Sequence, residues 1–176
     1  KVTCDTAPPY FALNENAVSD YRTFAKLSPP LRSEDDRQAI VAGLADGTID
    51  AIASDHNPQD ADSKRLPFAQ AAAGAVGFET LLPMALELYH NGHMSLLNVI
   101  TKLTRIPAEL VRIKGAGTLS EGTAADLVIF DPDRPWKVDP YQFHSKSKNS
   151  PFDGRLTQGR VLRTFIDGRE VFSEGA

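Results

Sequence analysis

Ile49-Asp50-Ala51-Ile52-Ala53-Ser54-Asp55-His56-Asn57-Pro58-Gln59 is the stretch around which the chain is organised. Its apolar run, Ile49 to Ala53, has the length of a strand and ends in an Asp-His-x-Pro step. Periodicity alone leaves a helix open for so short a run. Pro58 disfavours helix at Asn57, which argues for a strand entering a loop. A carboxylate at the C-terminal end of a buried parallel strand is where α/β barrels keep their chemistry. The competing reading is an aspartate that caps the next loop, since Asp is a favoured turn residue.

Upstream, Lys1 to Thr6 alternates and is rich in β-formers, and reads as a strand ended by Ala7-Pro8-Pro9-Tyr10-Phe11. Residues 12–28 read as a loop. Two prolines make Leu27-Ser28-Pro29-Pro30-Leu31-Arg32 a stiff extended step. Ser33 then has the character of an N-cap, with Glu34, Asp35 and Asp36 in the first turn. Ile40, Val41 and Leu44 form one face, and Gly47 suits the helix stop. Strand, loop, helix, strand is an α/β unit.

Downstream, Asp60 to Arg65 reads as a polar loop. Residues 69–77 are small and glycine-containing, as suits either close backbone approach to a ligand or tight helix packing. Helices are predicted over Phe78 to His90, after Ser95, and from Pro107. From about Gly115 the pattern changes to short strands at Leu119, Leu127 to Phe130, Val161 to Ile166 and Val171-Phe172. Asp167-Gly168 marks a hairpin. A boundary near residue 115 divides the sequence into 1–114 and 115–176.

The 176 residues carry 19 Lys and Arg against 23 Asp and Glu, a formal charge of −4, with 41% hydrophobic content. This composition is that of a soluble globular chain. No basic stripe with interleaved aromatics is present, which argues against nucleic acid. No apolar run approaches membrane-spanning length. The single cysteine, Cys4, forms no internal disulfide and suits a cytoplasmic setting; it is expected to pack as a small apolar side chain. His90 and His93 stand at a predicted helix end, where a cation is favourable, and His144 in a polar loop. The sequence opens on Lys1, without Met, directly in strand-like residues, which suggests a piece of a longer chain.

Several stretches together resemble the dihydroorotases of the amidohydrolase superfamily: Ser28-Pro29-Pro30-Leu31-Arg32, Ala53-Ser54-Asp55-His56-Asn57-Pro58 and Gly77-Phe78-Glu79-Thr80. Gly117-x-Leu119 with Gly122, Ala125 to Asp131, and Asn149-Ser150-Pro151-Phe152-x-Gly154 resemble the superfamily's accessory β-domain. The similarity covers nearly the whole chain in order. It implies an α/β fold: the C-terminal part of a TIM-like (β/α)8 barrel over residues 1–114, then the distal part of a small β-sandwich domain over 115–176. The earlier strands, with the other metal ligands, would be absent.

By the same resemblance, Asp55 matches the aspartate that ligates zinc, of which the complete protein would hold one or two ions. A zinc-held hydroxide would attack the cyclic amide of dihydroorotate. Asp55 would accept its proton and pass it to the leaving nitrogen, giving N-carbamoyl-L-aspartate in pyrimidine biosynthesis. Substrate-binding positions would be Ser28, Gln59, Ala73 and Gly74.

The sequence also departs from the family pattern. Ser28 stands where the family commonly has Asn, Gln59 where it has His, and Pro9 where a turn histidine is usual. Gln59 donates a neutral hydrogen bond but carries no charge. Arg32 beside the Ser33 cap reads as a salt-bridged structural residue, and His56 as a packing residue. The departures keep two alternatives open: a degenerate, non-catalytic scaffold partner of aspartate carbamoyltransferase, or a related hydantoinase- or allantoinase-type amidase. The implied partner in each case is the missing half of the barrel, in an oligomer.

Overall fold

The structure is a computed structural model that describes residues 2–175; Lys1, placed in the first predicted strand, lies outside the described residues. The chain is α/β. Strand β1 (Asp5–Thr6) pairs in parallel with β2 (Ala51–Ile52), Asp5 opposite Ala51 and Thr6 opposite Ile52. Backbone bonds from Asp50 N–H to the Cys4 carbonyl (2.9 Å) and from Ala53 N–H to the Thr6 carbonyl (2.8 Å) extend the pairing at both ends.

The connection between these strands begins with helix α1 (Pro8–Ala12), where the sequence reading placed only a strand end. Both prolines occupy its first positions, where a missing N–H costs no intrahelical bond. Short 3₁₀ turns, Glu15–Tyr21 and Thr23–Ala25, occupy most of the predicted loop. Helix α2 (Glu34–Asp46) starts on the Ser33 cap in a reciprocal box: Asp36 N–H donates to Ser33 Oγ (3.2 Å) and Ser33 N–H to Asp36 Oδ2 (3.3 Å). Gly47 ends it in the left-handed conformation. Arg37 grips Glu34 (2.6 Å) and donates to the Phe11 carbonyl (2.8 Å), so α2 caps the end of α1.

After β2, residues predicted as a polar loop form helix α3 (Ala61–Arg65), capped by Asp60, which accepts from Ser63 N–H at 2.8 Å. Helices α4 (Phe78–His90), α5 (Leu96–Leu103) and α6 (Arg105–Leu110) follow. Pro107 is the third residue of α6 and does not open it; its missing N–H still falls in the first turn. Met84, Ala85 and Leu88 of α4 pack with Ile52 and Val99 in the main core. Lys102 of α5 is buried and donates to the Ile49 carbonyl at 2.5 Å, fixing the approach to β2. Cys4 is exposed, contrary to expectation, because β1 has β2 as its one strand neighbour among the described residues.

The remaining strands form one antiparallel sheet in the order β3 (Leu127–Lys137), β4 (Leu156–Ile166), β5 (Arg169–Ser173). No strand forms at Leu119. Asp167 and Gly168, at φ +50° and +76°, make the tight hairpin between β4 and β5. The sheet is fastened to α4 by Arg155, whose Nε and Nη2 donate to the two Glu87 carboxylate oxygens at 2.9 and 2.7 Å. Among the described residues no helix is long and apolar enough to cross a membrane.

Glu34 gives this architecture a pH dependence. Hydrogen bonds from Arg37, then from Asn14 and Gln38, pull its carboxyl down to about 2 from 4.5. A carboxyl with a depressed folded value contributes stability that is complete above its unfolded value and is lost as pH falls through the folded one. The stability advantage of the wild type over Glu34→Gln is therefore expected to shrink as pH drops from 4.5 toward 2. Urea midpoints of both proteins across that window measure it, and an advantage that stays constant contradicts it.

Candidate active site

Asp55 lies three residues beyond the end of β2 and takes a left-handed backbone, φ +46°. That conformation is uncommon for a residue with a Cβ and is retained where its surroundings impose it. Here the surroundings are backbone. A Cβ on Gly77 would lie 2.2 Å from the Ser54 carbonyl oxygen, so only glycine permits α4 to start against the end of β2. His56 pairs with Ala75 in a parallel bridge, and Asn57 N–H donates to the Ala75 carbonyl at 2.8 Å. Gly77 N–H donates to His56 Nδ1 at 3.1 Å, which makes that nitrogen the unprotonated one. The imidazole stacks on Phe78, with centroids 3.8 Å apart and planes 1° from parallel.

With the loop held this way, Asp55 lines an open groove of about 640 Å³ together with Asp5, Tyr10, Ser28 and Arg32. No hydrogen bond or ion pair engages the Asp55 carboxylate among the described residues. Partial burial raises its proton affinity, and the neighbouring Asp5 raises it further. Tyr10 is pushed up to about 12 by burial and then by Asp55, so its hydroxyl stays a donor. That hydroxyl donates to the Pro29 carbonyl at 3.0 Å and holds the Ser28-Pro29-Pro30 step at the groove wall. A carboxylate with raised proton affinity and no structural partner is suited to accept and return a proton.

The residues singled out in the sequence divide into two groups. Ser28 shares the groove with Asp55. Gln59, Ala73 and Gly74 do not line it. The Gln59 side chain folds onto Asn57, donating to its Oδ1 at 2.9 Å, and its carbonyl accepts from Ser147 Oγ at 2.7 Å. Ala73 is half-buried, and Gly74 is buried against Asn57, with its carbonyl taken by Asn149 Nδ2 at 3.0 Å. Arg32 pairs with Asp36 at 3.4 Å. His90 lies 3.4 Å from Asp133, and His144 is edge-on to Phe172. Asp5 and Tyr10 were not singled out from the sequence. Asp5 carries a usable signal, a carboxylate in the first parallel strand as Asp55 is just beyond the second. Tyr10 carries none apart from its place after two prolines.

Among the described residues no group of three or more His, Cys, Asp or Glu is arranged to hold a metal ion. Asp55 offers a single open carboxylate ligand. The close contact beneath it is testable. Gly77→Ala is expected to cost about 1–3 kcal/mol in urea unfolding, with chemical-shift changes concentrated at Ser54, Asp55 and His56. Wild-type stability and spectra in that variant contradict the contact.

Comparison with known proteins places this geometry. The sequence is 53% identical over 172 residues to a dihydroorotase of Anaplasma phagocytophilum, covering 98% of this chain and 38% of that protein. It is 49% identical to a dihydroorotase of a Drosophila simulans Wolbachia, covering 98% and 39%. The chain thus spans about two fifths of the length of these curated relatives. Among solved structures, the L-hydantoinase (dihydropyrimidinase) of Arthrobacter aurescens superposes with a TM-score of 0.93 at 33% identity, over 99% of this chain and 40% of that one. The dihydropyrimidinase of Brevibacillus agri, at 24% identity and a TM-score of 0.87, shares the fold. The model of the amidohydrolase family matches residues 13–171, and the chain belongs to that family.

Proposed function

We propose that this chain is the closing part of a zinc-dependent dihydroorotase, a cytoplasmic enzyme of pyrimidine biosynthesis that interconverts dihydroorotate and N-carbamoyl-L-aspartate. The observation that carries the reading is Asp55: a carboxylate at the end of a parallel strand, without a partner among the described residues, facing an open groove. The dihydroorotase names of relatives at 53% and 49% identity support the substrate. In this reading residues 1–114 are the last strands and helices of a (β/α)8 barrel, and 115–176 are the distal part of a β-sandwich domain. Preceding strands supply the remaining metal ligands, since zinc takes three or four protein ligands and Asp55 is one.

When bound, zinc acidifies water and polarises the amide carbonyl. Asp55 takes the proton released as water adds to that carbonyl and returns it to the ring nitrogen as the C–N bond breaks. Its raised proton affinity suits both transfers. Tyr10 keeps the Ser28 wall in place, and Ser28 Oγ meets the substrate. Ala73 and Gly74 back the loop, and Gln59, its amide held by Asn57, lies outside the groove.

The L-hydantoinase likeness supports a second reading, a related cyclic amidase. Loss of activity altogether would leave a scaffold role beside aspartate carbamoyltransferase.

Two outcomes test the reading. In the longer protein, Asp55→Ala is expected to lower dihydroorotate hydrolysis by several orders of magnitude, about 10³-fold or more, with the fold intact by circular dichroism. Activity within tenfold of wild type contradicts the assignment. Exposed neighbours Val128 and Ile129, at 53% and 48%, lie on opposite faces of edge strand β3, so both faces of the sheet are open there. The 176-residue chain by itself is accordingly expected to associate in light scattering and to be inactive. A monodisperse monomer, or zinc-dependent turnover by it, contradicts the incomplete-barrel reading.

A further inference from the structure

Lys64 of α3 is 2% exposed, a rare place for an amine. Its ammonium donates to three backbone carbonyls: Thr23 at 2.9 Å, Lys26 at 3.3 Å and Ala72 at 2.8 Å. An ammonium has three protons, so every donor is used. No carboxylate forms an ion pair with it among the described residues. The same Lys26 carbonyl accepts from Gly74 N–H at 3.0 Å, and the Thr23 hydroxyl donates to the Lys64 carbonyl at 2.6 Å. One buried cation therefore joins the 3₁₀ turn at Thr23–Ala25, α3 and the start of the 72–75 stretch at a single point.

That stretch leads to the site. Three residues beyond Ala72, the Ala75 carbonyl accepts Asn57 N–H, and Ala75 bridges His56. Asp55 is the preceding residue, in its left-handed conformation. We infer that Lys64 is a positioning residue for Asp55: anchored on the Thr23 and Lys26 carbonyls, it fixes residues 72–75 through the Ala72 carbonyl, and these hold the loop that aims the carboxylate into the groove. Lys64 does not line the groove and touches no reacting atom. The inference rests on the proton-transfer role proposed for Asp55. An apolar side chain of similar length would fill the volume but strand the Ala72 carbonyl, since those of Thr23 and Lys26 keep the N–H groups of Lys26 and Gly74; the Ala72 carbonyl then competes for other donors and loosens the stretch.

The test uses the longer protein with Lys64→Met beside wild type, at a temperature where both are folded. The variant is expected to lose about tenfold in kcat with KM within about twofold. Amide hydrogen exchange at Gly74 and Asn57 is expected to quicken about tenfold or more, while α5 amides exchange as before. Wild-type kcat and exchange overturn the inference. A uniform rise in exchange across the chain also overturns it, since that marks a lysine needed only for stability. If Lys64→Met fails to fold, Lys64→Gln is read by the same criteria; failure of both overturns the positioning role. Absence of dihydroorotate turnover in the wild type sinks the dihydroorotase reading alone. The exchange data then decide: a rise confined to Gly74 and Asn57 supports the inference, and none overturns it.

Discussion

The approach of Gly77 to the Ser54 carbonyl is the constraint on which the site depends. It brings the start of α4 against the end of β2 with no side chain between them. Once that contact is made, the neighbouring bonds follow. Gly77 N–H meets His56 Nδ1, the imidazole lies flat on Phe78, and Ala75 pairs with His56. Asp55 is left to turn the chain, in a conformation that costs of order 1–3 kcal/mol and is over-determined by these neighbours. Packing then holds α4 itself: its buried face joins the main core, and Arg155 clamps Glu87.

The electrostatics follow from the same placement. Parallel pairing of β1 and β2 puts Asp5 and Asp55 on one groove, where burial and then the Asp5 carboxylate make ionisation of Asp55 less favourable. Tyr10 keeps its proton under the combined effect of burial and Asp55. The groove thus presents one acceptor with raised proton affinity, Asp55, beside a fixed donor. A cation entering it would reverse that balance, because it stabilises the ionised carboxylates.

Much of this was legible in the sequence where the signal is local. The Ser33 cap, the span of α4 and the Asp167-Gly168 hairpin follow from side-chain chemistry within a few residues. Parallel strands around a crossover helix could be read from the apolar run before Asp55 and the pattern ahead of it. Short helices α1 and α3 were not legible, because five-residue helices owe their existence to tertiary partners such as Arg37 on the Phe11 carbonyl and Lys64 on Ala72. Exposure of Cys4 was hidden because it depends on which strands stand beside β1. At the site, Asp55 and Ser28 stood out through motif likeness. Asp5, Tyr10 and Lys64 act through contacts between distant segments, which residue spacing does not encode.

The central claim is that the Asp55 carboxylate is a ligand and proton carrier in a zinc site completed by preceding chain. The most direct measurement is an anomalous-scattering crystal structure of the longer protein grown with zinc. The account predicts a zinc peak about 2.0–2.2 Å from an Asp55 carboxylate oxygen, with the other ligands contributed from outside these residues. A zinc site bound elsewhere, with Asp55 turned from it and held by a protein hydrogen bond, would contradict the account.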